Sequence, residues 1–247
     1  MGCCSRSQAA TLIRAKRVSV DGRVITDAES PVSIEHGRFA VDGVLVAPSK
    51  KIYLVMNKPR GVVTTASDEK GRGTVLDLLS DDLAWIAPVG RLDKASEGLL
   101  LLTNDSEWAA RVTDPGSHLE KTYHVQVNCV ADVKLLSRIN RGLQDRGEWL
   151  KAKSCRILRL GEKNSWLEIT LDEGRNRHIR RMLQACGVEV LRLVRTSIGP
   201  LKLGALMKGK VRELSRNEFQ ELSLALGLGP AGKKRPKNNE RVPKDVG

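Results

Sequence analysis

The sequence predicts an α+β protein built on a mixed, largely antiparallel sheet. Two segments, KTYHVQV and SWLEITL, alternate apolar and polar residues as half-buried strands do. Two others, VKLLSRINRGL and RNRHIRRMLQACG, have the apolar spacing of amphipathic helices. These elements are interleaved without the regular strand–helix alternation of a parallel doubly wound fold, and this order favours the α+β class.

The N-terminal segment predicts a helix followed by a hairpin. Ser5 can cap a helix in which Ala9, Leu12 and Ile13 form the apolar stripe. The helix ends on three basic residues, Arg14, Lys16 and Arg17. In the following VSVDGRVI, apolar and polar residues alternate around an Asp21–Gly22 turn, which is a strong hairpin signal. A basic helix end beside a hairpin is typical of an RNA-binding unit, and a purely structural hairpin fits these residues equally well.

The rest of the chain predicts a larger domain over 49–228 and a tail. The domain's elements are, in order, a buried strand in IYLVMNK, a turn at Pro59–Gly61, a β-branched strand in VVTT, a short helix in GTVLDLL, a strand in LLLL, a helix in SEWAARVTDP, the strand KTYHVQVNCV, the VKLLSRINRGL helix, the strand SWLEITLDEG, a helix ended by Gly187, and a strand and turn in VEVLRLVRTSIGPL. The last segment, 229–247, has six Lys/Arg, three Pro and no core residues. We expect it to be a disordered basic tail.

Composition limits the class of protein. The net charge of +13 and the pI near 9.8 indicate a polyanionic partner such as RNA or DNA. Five scattered cysteines without a Cys-x-x-Cys pair support neither a disulfide framework nor a zinc site, so we predict reduced thiols in a cytoplasmic protein without a bound metal. No stretch approaches the roughly 18 apolar residues that a membrane helix needs. P-loop, Rossmann glycine and HExxH motifs are absent from the sequence.

Asp93, in the segment GRLDKASEGLLLLTND, is the candidate catalytic carboxylate. It precedes the aliphatic run 99–102, which places it in a loop that enters a central strand, where a scaffold can hold a side chain at the mouth of a cleft. Arg91, two residues earlier, can bind a phosphate or orient the carboxylate. On these residues alone, a structural turn is the commoner role for such an aspartate.

A second cluster, EGRNRHIRRM, places four arginines around a histidine: Arg175, Arg177, Arg180 and Arg181. Four arginines so close together repel one another unless anions bind among them. The helical spacing allows one arginine to turn inward while the others contact phosphate. A solvated basic face is the plain alternative. Tyr123 shares a strand face with Val125 and Val127, where core packing is the default, although its hydroxyl can reach the edge of a cleft.

Taken together, these segments resemble the RsuA-type bacterial ribosomal RNA pseudouridine synthases over almost the whole chain. The segments that carry the likeness are, in order, SRSQAATLIRAKRVSVDGRVITD, NKPRGVVTT, GRLDKASEGLLLLTND, EKTYHV and EGRNRHIRRM. The resemblance implies the pseudouridine synthase fold, a mixed, largely antiparallel sheet with a cleft, preceded over 1–48 by a small S4-like RNA-binding module. That module normally begins with one more helix, so we expect it to be incomplete here.

The same resemblance assigns the site. It makes Asp93 the catalytic aspartate, Tyr123 the residue that packs on the target base, and Arg180 the partner that holds Asp93. Arg91 would engage the RNA backbone. The other expected RNA contacts are Arg175, Arg177 and Arg181 of the arginine cluster and Arg14, Lys16 and Arg17 of the module. His178 stands where relatives often have Gln and receives no role. Isomerisation needs neither a redox step nor an energy input, so no cofactor is implied.

Three alternatives remain open beside a ribosomal RNA synthase. Asp93 and Glu97 could be the paired carboxylates of a glycoside hydrolase, although Gly98 and the aliphatic run predict a turn instead of a helix there. The chain could be a non-catalytic ribosome-assembly factor, which an intact Asp93, Tyr123 and Arg180 disfavour. It could also modify transfer or messenger RNA. We expect a monomer that acts on ribosomal RNA in a pre-ribosomal particle. The segment SWLEITLDEGRNRHIRRM favours the large subunit slightly, and EKTYHV also suits the small-subunit branch.

Overall fold

The structure is a computed structural model of the 247-residue chain, and it describes residues 4–33, 37–47, 49–65, 71–80 and 85–229. A four-stranded sheet lies in the N-terminal part, and a nine-stranded sheet forms the centre of the remainder. Strands and helices are interleaved, and the strand pairing is mostly antiparallel. The predicted α+β class is therefore confirmed.

The N-terminal unit consists of one helix and four short strands. Their bounds are α1, Arg6–Arg14; β1, Val18–Val20; β2, Arg23–Val24; β3, Phe39–Val41; and β4, Val44–Leu45, paired in the order β2-β1-β3-β4. Ser5 closes a capping box, because its hydroxyl accepts from the Gln8 backbone N–H while the Gln8 side chain accepts from the Ser5 N–H. Asp21 and Gly22 have positive φ angles, +52° and +80°, as a type I′ hairpin turn requires. The predicted helix and hairpin are both confirmed.

The remainder of the described chain carries eleven further strands. They are β5, Tyr53–Lys58; β6, Ala87–Val89; β7, Glu97–Thr103; β8, Lys121–Val127; β9, Leu143–Asp145; β10, Glu148–Leu150; β11, Ser154–Leu160; β12, Ser165–Leu171; β13, Val190–Ile198; β14, Leu201–Lys202; and β15, Val211–Glu213. Strands β9 and β10 form a separate hairpin. The other nine form one sheet in the order β11-β12-β8-β13-β7-β5-β15, with β14 beside β13 and β6 beside β7. Among these paired strands, β7 and β13 run parallel.

The core lies on both faces of this sheet. The helices of this part are α2, Ser106–Thr113; α3, Val133–Arg141; α4, His178–Ala185; and α5, Arg216–Ala225. Every residue of β7 is buried. Leu99 and Leu101 join one apolar cluster with Trp108, whereas Leu100 and Leu102 join a second cluster. The aliphatic run is thus a central strand with core on each side, which gives the loop before it a rigid support.

Gly98 allows the close approach of β7 and β13. Its φ angle is +104°, and a Cβ atom there would lie 2.3 Å from the backbone oxygen of Arg195. A side chain would therefore meet both an unfavourable backbone conformation and a backbone clash. At this contact β13 pairs in parallel with the first two residues of β7, which follow the Asp93 loop.

Several elements differ from the sequence prediction. The β-branched VVTT segment forms no strand; one isolated bridge joins Val63 to Thr74, and the Thr64 hydroxyl bonds the carbonyl of Leu92 instead. The predicted GTVLDLL helix is a single 3₁₀ turn, Leu76–Leu78. The elements that were not predicted are strands β3, β4, β6, β9, β10, β11, β14 and β15 and helix α5. The basic tail, from residue 230 onward, lies outside the described residues.

Glu218 stabilises α5 through two sets of contacts. Its carboxylate accepts a 2.8 Å hydrogen bond from the Ser215 N–H, which closes a capping box, and it bonds both terminal nitrogens of Arg212 at 2.7 Å. The hydrogen bonds from Arg212 lower the pKa of Glu218 to about 2, against the opposing effect of burial.

We expect Glu218→Gln to lower the free energy of unfolding at pH 7 by about 1–2 kcal/mol, because it removes the ion pair and weakens the cap. The folded pKa lies below the unfolded value of 4.5, so this stabilisation is complete above pH 4.5 and is lost as the pH falls toward 2. Urea unfolding at pH 7 and pH 3 measures the difference between the two proteins. Glu221→Gln, at an exposed site on the same helix, is the control, and a difference that does not shrink with pH would contradict the assignment.

Candidate active site

A cleft of about 370 Å³ opens between the loop that precedes β7, strands β8 and β13, and the segment 172–177 that precedes α4. Its walls include ten charged or aromatic side chains: Arg91, Asp93, Lys121, Tyr123, Asp172, Glu173, Arg175, Arg177, His178 and Arg195. Five of these ten, Arg91, Asp93, Tyr123, Arg175 and Arg177, are candidates from the sequence. The fold therefore brings together side chains from four separate segments of the chain: 91–93, 121–123, 172–178 and 195.

The loop that carries Asp93 is fixed by its backbone carbonyls, since each carbonyl from residue 92 to 96 accepts a hydrogen bond. The carbonyl of residue 92 accepts from Thr64 Oγ1 at 2.8 Å, and that of residue 93 accepts from Ser96 N at 2.9 Å and from Lys58 Nζ at 3.3 Å. The carbonyls of residues 94, 95 and 96 accept from Gly61 N at 2.8 Å, Arg180 Nη2 at 3.1 Å and Lys58 Nζ at 3.0 Å, respectively. Losing such a partner leaves a buried acceptor unsatisfied, at a cost of about 1–3 kcal/mol. These contacts fix the backbone of the loop from which the Asp93 side chain projects.

The Asp93 carboxylate lies between two guanidinium groups and is 29% exposed. Its Oδ2 is 3.7 Å from Nη1 of Arg177 and 3.8 Å from Nε of Arg180. These distances are those of ion pairs and are too long for hydrogen bonds. Burial lowers the pKa of Arg180, and the charge of Arg177 adds to this effect, yet an arginine stays protonated. The Asp93 side chain thus faces the cleft with two guanidinium groups beside it.

Lys58 is a site residue that the sequence did not indicate. Its side chain is fully buried at the end of β5, and its ammonium group donates to the carbonyls of Pro59, Asp93 and Ser96. Burial lowers the pKa of Lys58 to about 8, while the negative charges of Asp93 and Glu97 act in the opposite direction. The NKPRG segment has the pattern of a turn, and nothing local in it indicates a buried cation.

Tyr123 lies on β8 with its side chain at the cleft. In the sheet register it pairs with Ile169 of β12 and Arg195 of β13, and its ring packs at the margin of two apolar clusters. The side chain is half-buried. An aromatic ring packed on one side and open to a cleft on the other can stack on a nucleobase. Tyr123 therefore packs against the core and also faces the cleft.

Two of the cations that line the cleft, Lys121 and Arg195, were not predicted. Arg195 is buried, and its Nε donates to the carbonyl of Leu99, while its Nη2 has no hydrogen-bond partner in the described part of the chain. Burial, with the charge of Arg195, lowers the pKa of Lys121. A charged residue at an inward position of a predicted strand is the signal that could have identified both.

The other predicted RNA contacts lie away from the cleft or are already paired. Arg181 donates to Asp145 at 2.6 Å and to Glu148 at 2.5 Å, which joins α4 to the β9–β10 hairpin. In the N-terminal unit, Arg17 forms a 2.5 Å ion pair with Asp42. The remaining two, Arg14 and Lys16, are at the end of α1. Contact of these residues with RNA stays a prediction.

Glu97 does not share the cleft with Asp93. It is 2% exposed, and its carboxylate is bonded by Arg192, at 3.1 and 3.2 Å, and by Lys208. Burial acts to raise the pKa of Glu97, but the hydrogen bonds and charges of Arg192 and Lys208 outweigh it and lower the pKa. A pair of glycosidase carboxylates must face the same substrate. The geometry therefore gives no support to the glycoside hydrolase alternative.

The described residues contain neither a metal-binding cluster nor a membrane-spanning helix. No group of three or more His, Cys, Asp or Glu side chains in that part of the chain is placed to hold a metal ion. Within the same residues, no helix combines the length and apolar character needed to cross a bilayer. Cys129, Cys155 and Cys186 are free thiols, and burial raises the pKa of Cys155 to about 12. Cys155 therefore behaves as a core residue and not as a nucleophile.

The cleft thus combines a carboxylate, several arginines and a tyrosine, and such cations can bind a polyanionic substrate. Residues 52–185 match the family model described as RNA pseudouridylate synthase, and residues 1–35 match the S4 domain model. The chain belongs to the RNA pseudouridylate synthase family. It is an RNA pseudouridine synthase with an N-terminal S4 domain, as the sequence resemblance implied.

Relatives and a solved structure agree with this assignment. The chain is 41% identical over 235 residues to an uncharacterized RNA pseudouridine synthase of Aquifex aeolicus, which covers 95% of this chain and 94% of the relative. It is 38% identical over 224 residues to the ribosomal large subunit pseudouridine synthase B of Bacillus subtilis, covering 90% and 91%. A crystal structure of a pseudouridylate synthase is similar with a TM-score of 0.64 and 30% identity, covering 88% of this chain and 94% of the other. The predicted fold is confirmed.

Proposed function

We propose that the chain converts one specific uridine of ribosomal RNA to pseudouridine, with Asp93 as the catalytic carboxylate. The observation that carries this proposal is the loop 92–96, whose carbonyls are all hydrogen-bonded, so that Asp93 is held in the same cleft as Tyr123. A reacting side chain must be held within a fraction of an ångström of its productive position. The hydrogen-bonded loop supports this by fixing the backbone that carries Asp93.

The reaction breaks the N1–C1′ bond of uridine and joins C5 of the same uracil to C1′. C5 loses a proton and N1 gains one, so the atoms balance without a redox partner. Asp93 acts either by attack on C1′ or by removal of the 2′ proton. The uridine must leave its stack to reach the cleft, at a cost of a few kcal/mol that contacts to phosphates can offset.

Each of the other candidate residues has a role in this proposal. Tyr123 stacks on the flipped uracil and helps to remove the C5 proton, and Arg180 holds Asp93. Arg91 engages the RNA backbone beside the extruded nucleotide. The remaining RNA contacts are Arg175, Arg177 and Arg181 on the catalytic domain and Arg14, Lys16 and Arg17 on the S4 domain. The net charge of +13 supports binding to RNA through its phosphates.

Large-subunit ribosomal RNA is the substrate that we favour, because the similar Bacillus subtilis protein is named for that subunit and aligns over most of the chain. We infer a cytoplasmic monomer that acts on RNA in a pre-ribosomal particle. Its proposed parts are the S4 unit over 1–48, the catalytic domain over 49–228 and a basic tail over 229–247. The alternative substrates are small-subunit, transfer and messenger RNA.

We expect tritium release when the protein acts on unmodified large-subunit ribosomal RNA labelled at C5 of uridine, because C5 must lose its proton. The RNA is transcribed in vitro and supplied both free and in a precursor particle. Small-subunit ribosomal RNA and transfer RNA are the matched controls and should give background release. Release from transfer RNA alone would overturn the ribosomal assignment, and release from none of these RNAs would contradict the proposed reaction.

A further inference from the structure

The β9–β10 hairpin has two faces of opposite character. Its strands are joined by a two-residue turn, Arg146–Gly147, and pair Leu143 with Leu150 and Gln144 with Trp149. Because side chains alternate across a strand, Leu150 lies on one face and Trp149 on the other. Leu150 is fully buried, whereas Trp149 is 57% exposed. One face therefore packs on the domain and the other meets solvent.

The inner face anchors the hairpin to α4. Asp145 and Glu148 are the two acidic residues of the hairpin, and both are bonded by Arg181 of α4. Arg181 follows directly after Arg180, which contacts the Asp93 loop. The hairpin is thus attached to the same helix as the candidate active site, with both of its carboxylates paired to one arginine.

The outer face presents an aromatic surface. Of the four tryptophans of the chain, Trp108 is buried, Trp85 and Trp166 are half-buried, and Trp149 is exposed. The indole of Trp149 lies over Gly142, where a Cβ atom would come within 2.7 Å of its Nε1. Gln144, directly across the strand pair, is exposed beside the indole. Trp149 therefore has one side supported by backbone and the other open to a partner.

Three exposed cations lie close to Trp149 along the chain. Arg141 precedes Gly142, Lys151 follows on the Trp149 strand, and Arg146 forms the tip of the hairpin. Arg146 has a φ angle of +49°, a conformation in which Asn, Asp or Gly is favoured at this turn position. The turn therefore keeps an arginine where another residue would be more stable, and such local strain points to a function.

We propose that the outer face of the β9–β10 hairpin binds an unpaired nucleotide of the RNA substrate next to the active-site cleft. Trp149 stacks on the base, Gln144 contacts its edge, and Arg141, Arg146 and Lys151 meet the flanking phosphates. Tryptophan and cations in this arrangement are the ordinary means of binding single-stranded RNA. A protein partner is disfavoured because the patch is cationic and holds a single large apolar side chain. The inference rests on the RNA-modifying function and adds a binding surface outside the cleft.

The first test compares RNA affinity in the full-length protein. Against in vitro transcribed large-subunit ribosomal RNA, we expect Trp149→Ala to raise the Kd about tenfold, because one stacked base is lost. Trp149→Phe should stay within about threefold of wild type, since it keeps an aromatic ring. Leu160→Ala, at an exposed apolar site on the edge strand β11, is the matched control and should leave the Kd unchanged. An unchanged Kd for Trp149→Ala would overturn the proposal.

The second test separates RNA binding from folding. Arg146→Asn relieves the positive φ angle, so its Tm should be equal to or above that of wild type. It also removes one phosphate contact, so the Kd should rise and the slope of log Kd against log salt should fall by about 1. If Trp149 only covers Gly142 and the hairpin does not bind RNA, neither the Kd nor the salt slope would change in Arg146→Asn. Binding is measured without turnover, so a failure of the proposed reaction and a failure of this surface give different results.

Discussion

Asp93→Asn should reduce the rate of pseudouridine formation by about 10⁴-fold or more, the order seen when a catalytic group of an enzyme is removed. The amide has nearly the same shape as the carboxylate but can neither attack C1′ nor accept a proton from C2′. The loop 92–96 is held through its backbone, so it should keep its conformation in the variant. Tritium release under single-turnover conditions measures the effect.

Binding and folding provide the internal controls for this variant. The substitution leaves Arg177 and Arg180 without their carboxylate partner, so RNA affinity should be unchanged or slightly tighter. The ion pairs at 3.7 and 3.8 Å are partly exposed, and their loss should change the free energy of unfolding by less than about 1 kcal/mol. Asp172→Asn makes the same change at another carboxylate of the cleft and should retain at least about a tenth of the activity. Equal losses of activity in the two variants would show that Asp93 is not the catalytic carboxylate.

Lys58→Met should lower both stability and rate, because it deletes the buried donor to the carbonyls of Pro59, Asp93 and Ser96. The buried carbonyls that lose this donor should cost about 1–3 kcal/mol of unfolding free energy. A displaced Asp93 loop should also slow single turnover by about 100-fold at a temperature where the variant is folded. Lys94→Met changes an exposed lysine of the same loop and should alter stability by less than about 0.5 kcal/mol.

The pH dependence of stability gives Lys58 a second signature. Its pKa is about 8 in the folded protein and 10.5 when unfolded. Between these values the unfolded chain holds the extra proton, so this group makes stability rise as the pH increases from 8 to 10.5. The difference in unfolding free energy between wild type and Lys58→Met should therefore be larger at pH 10 than at pH 7. A difference independent of pH would show that the lysine is not desolvated in the native state.

Regular elements with a clear local pattern were predicted well. The alternation in KTYHVQV and SWLEITL defines β8 and β12, the apolar spacing of RNRHIRRMLQACG defines α4, and the Asp21–Gly22 pair defines the first hairpin. In each case the sequence pattern and the element that it predicts involve only residues that are close together in the chain, because the period of a strand or helix and the geometry of a two-residue turn are local properties. The β-branched VVTT segment has a strand-like composition, yet no neighbouring strand pairs with it beyond one bridge.

The sequence by itself determined the class of fold, the position of Asp93 before a buried strand, and, through the combined motifs, the set that Asp93 forms with Tyr123 and Arg180. Only the tertiary structure decided how these side chains are supported. Lys58 reaches the Asp93 loop from another strand, and Arg181 is used by a hairpin that the sequence did not predict. Such contacts join residues far apart in the chain, and no local period records which buried carbonyl or carboxylate a given cation will meet.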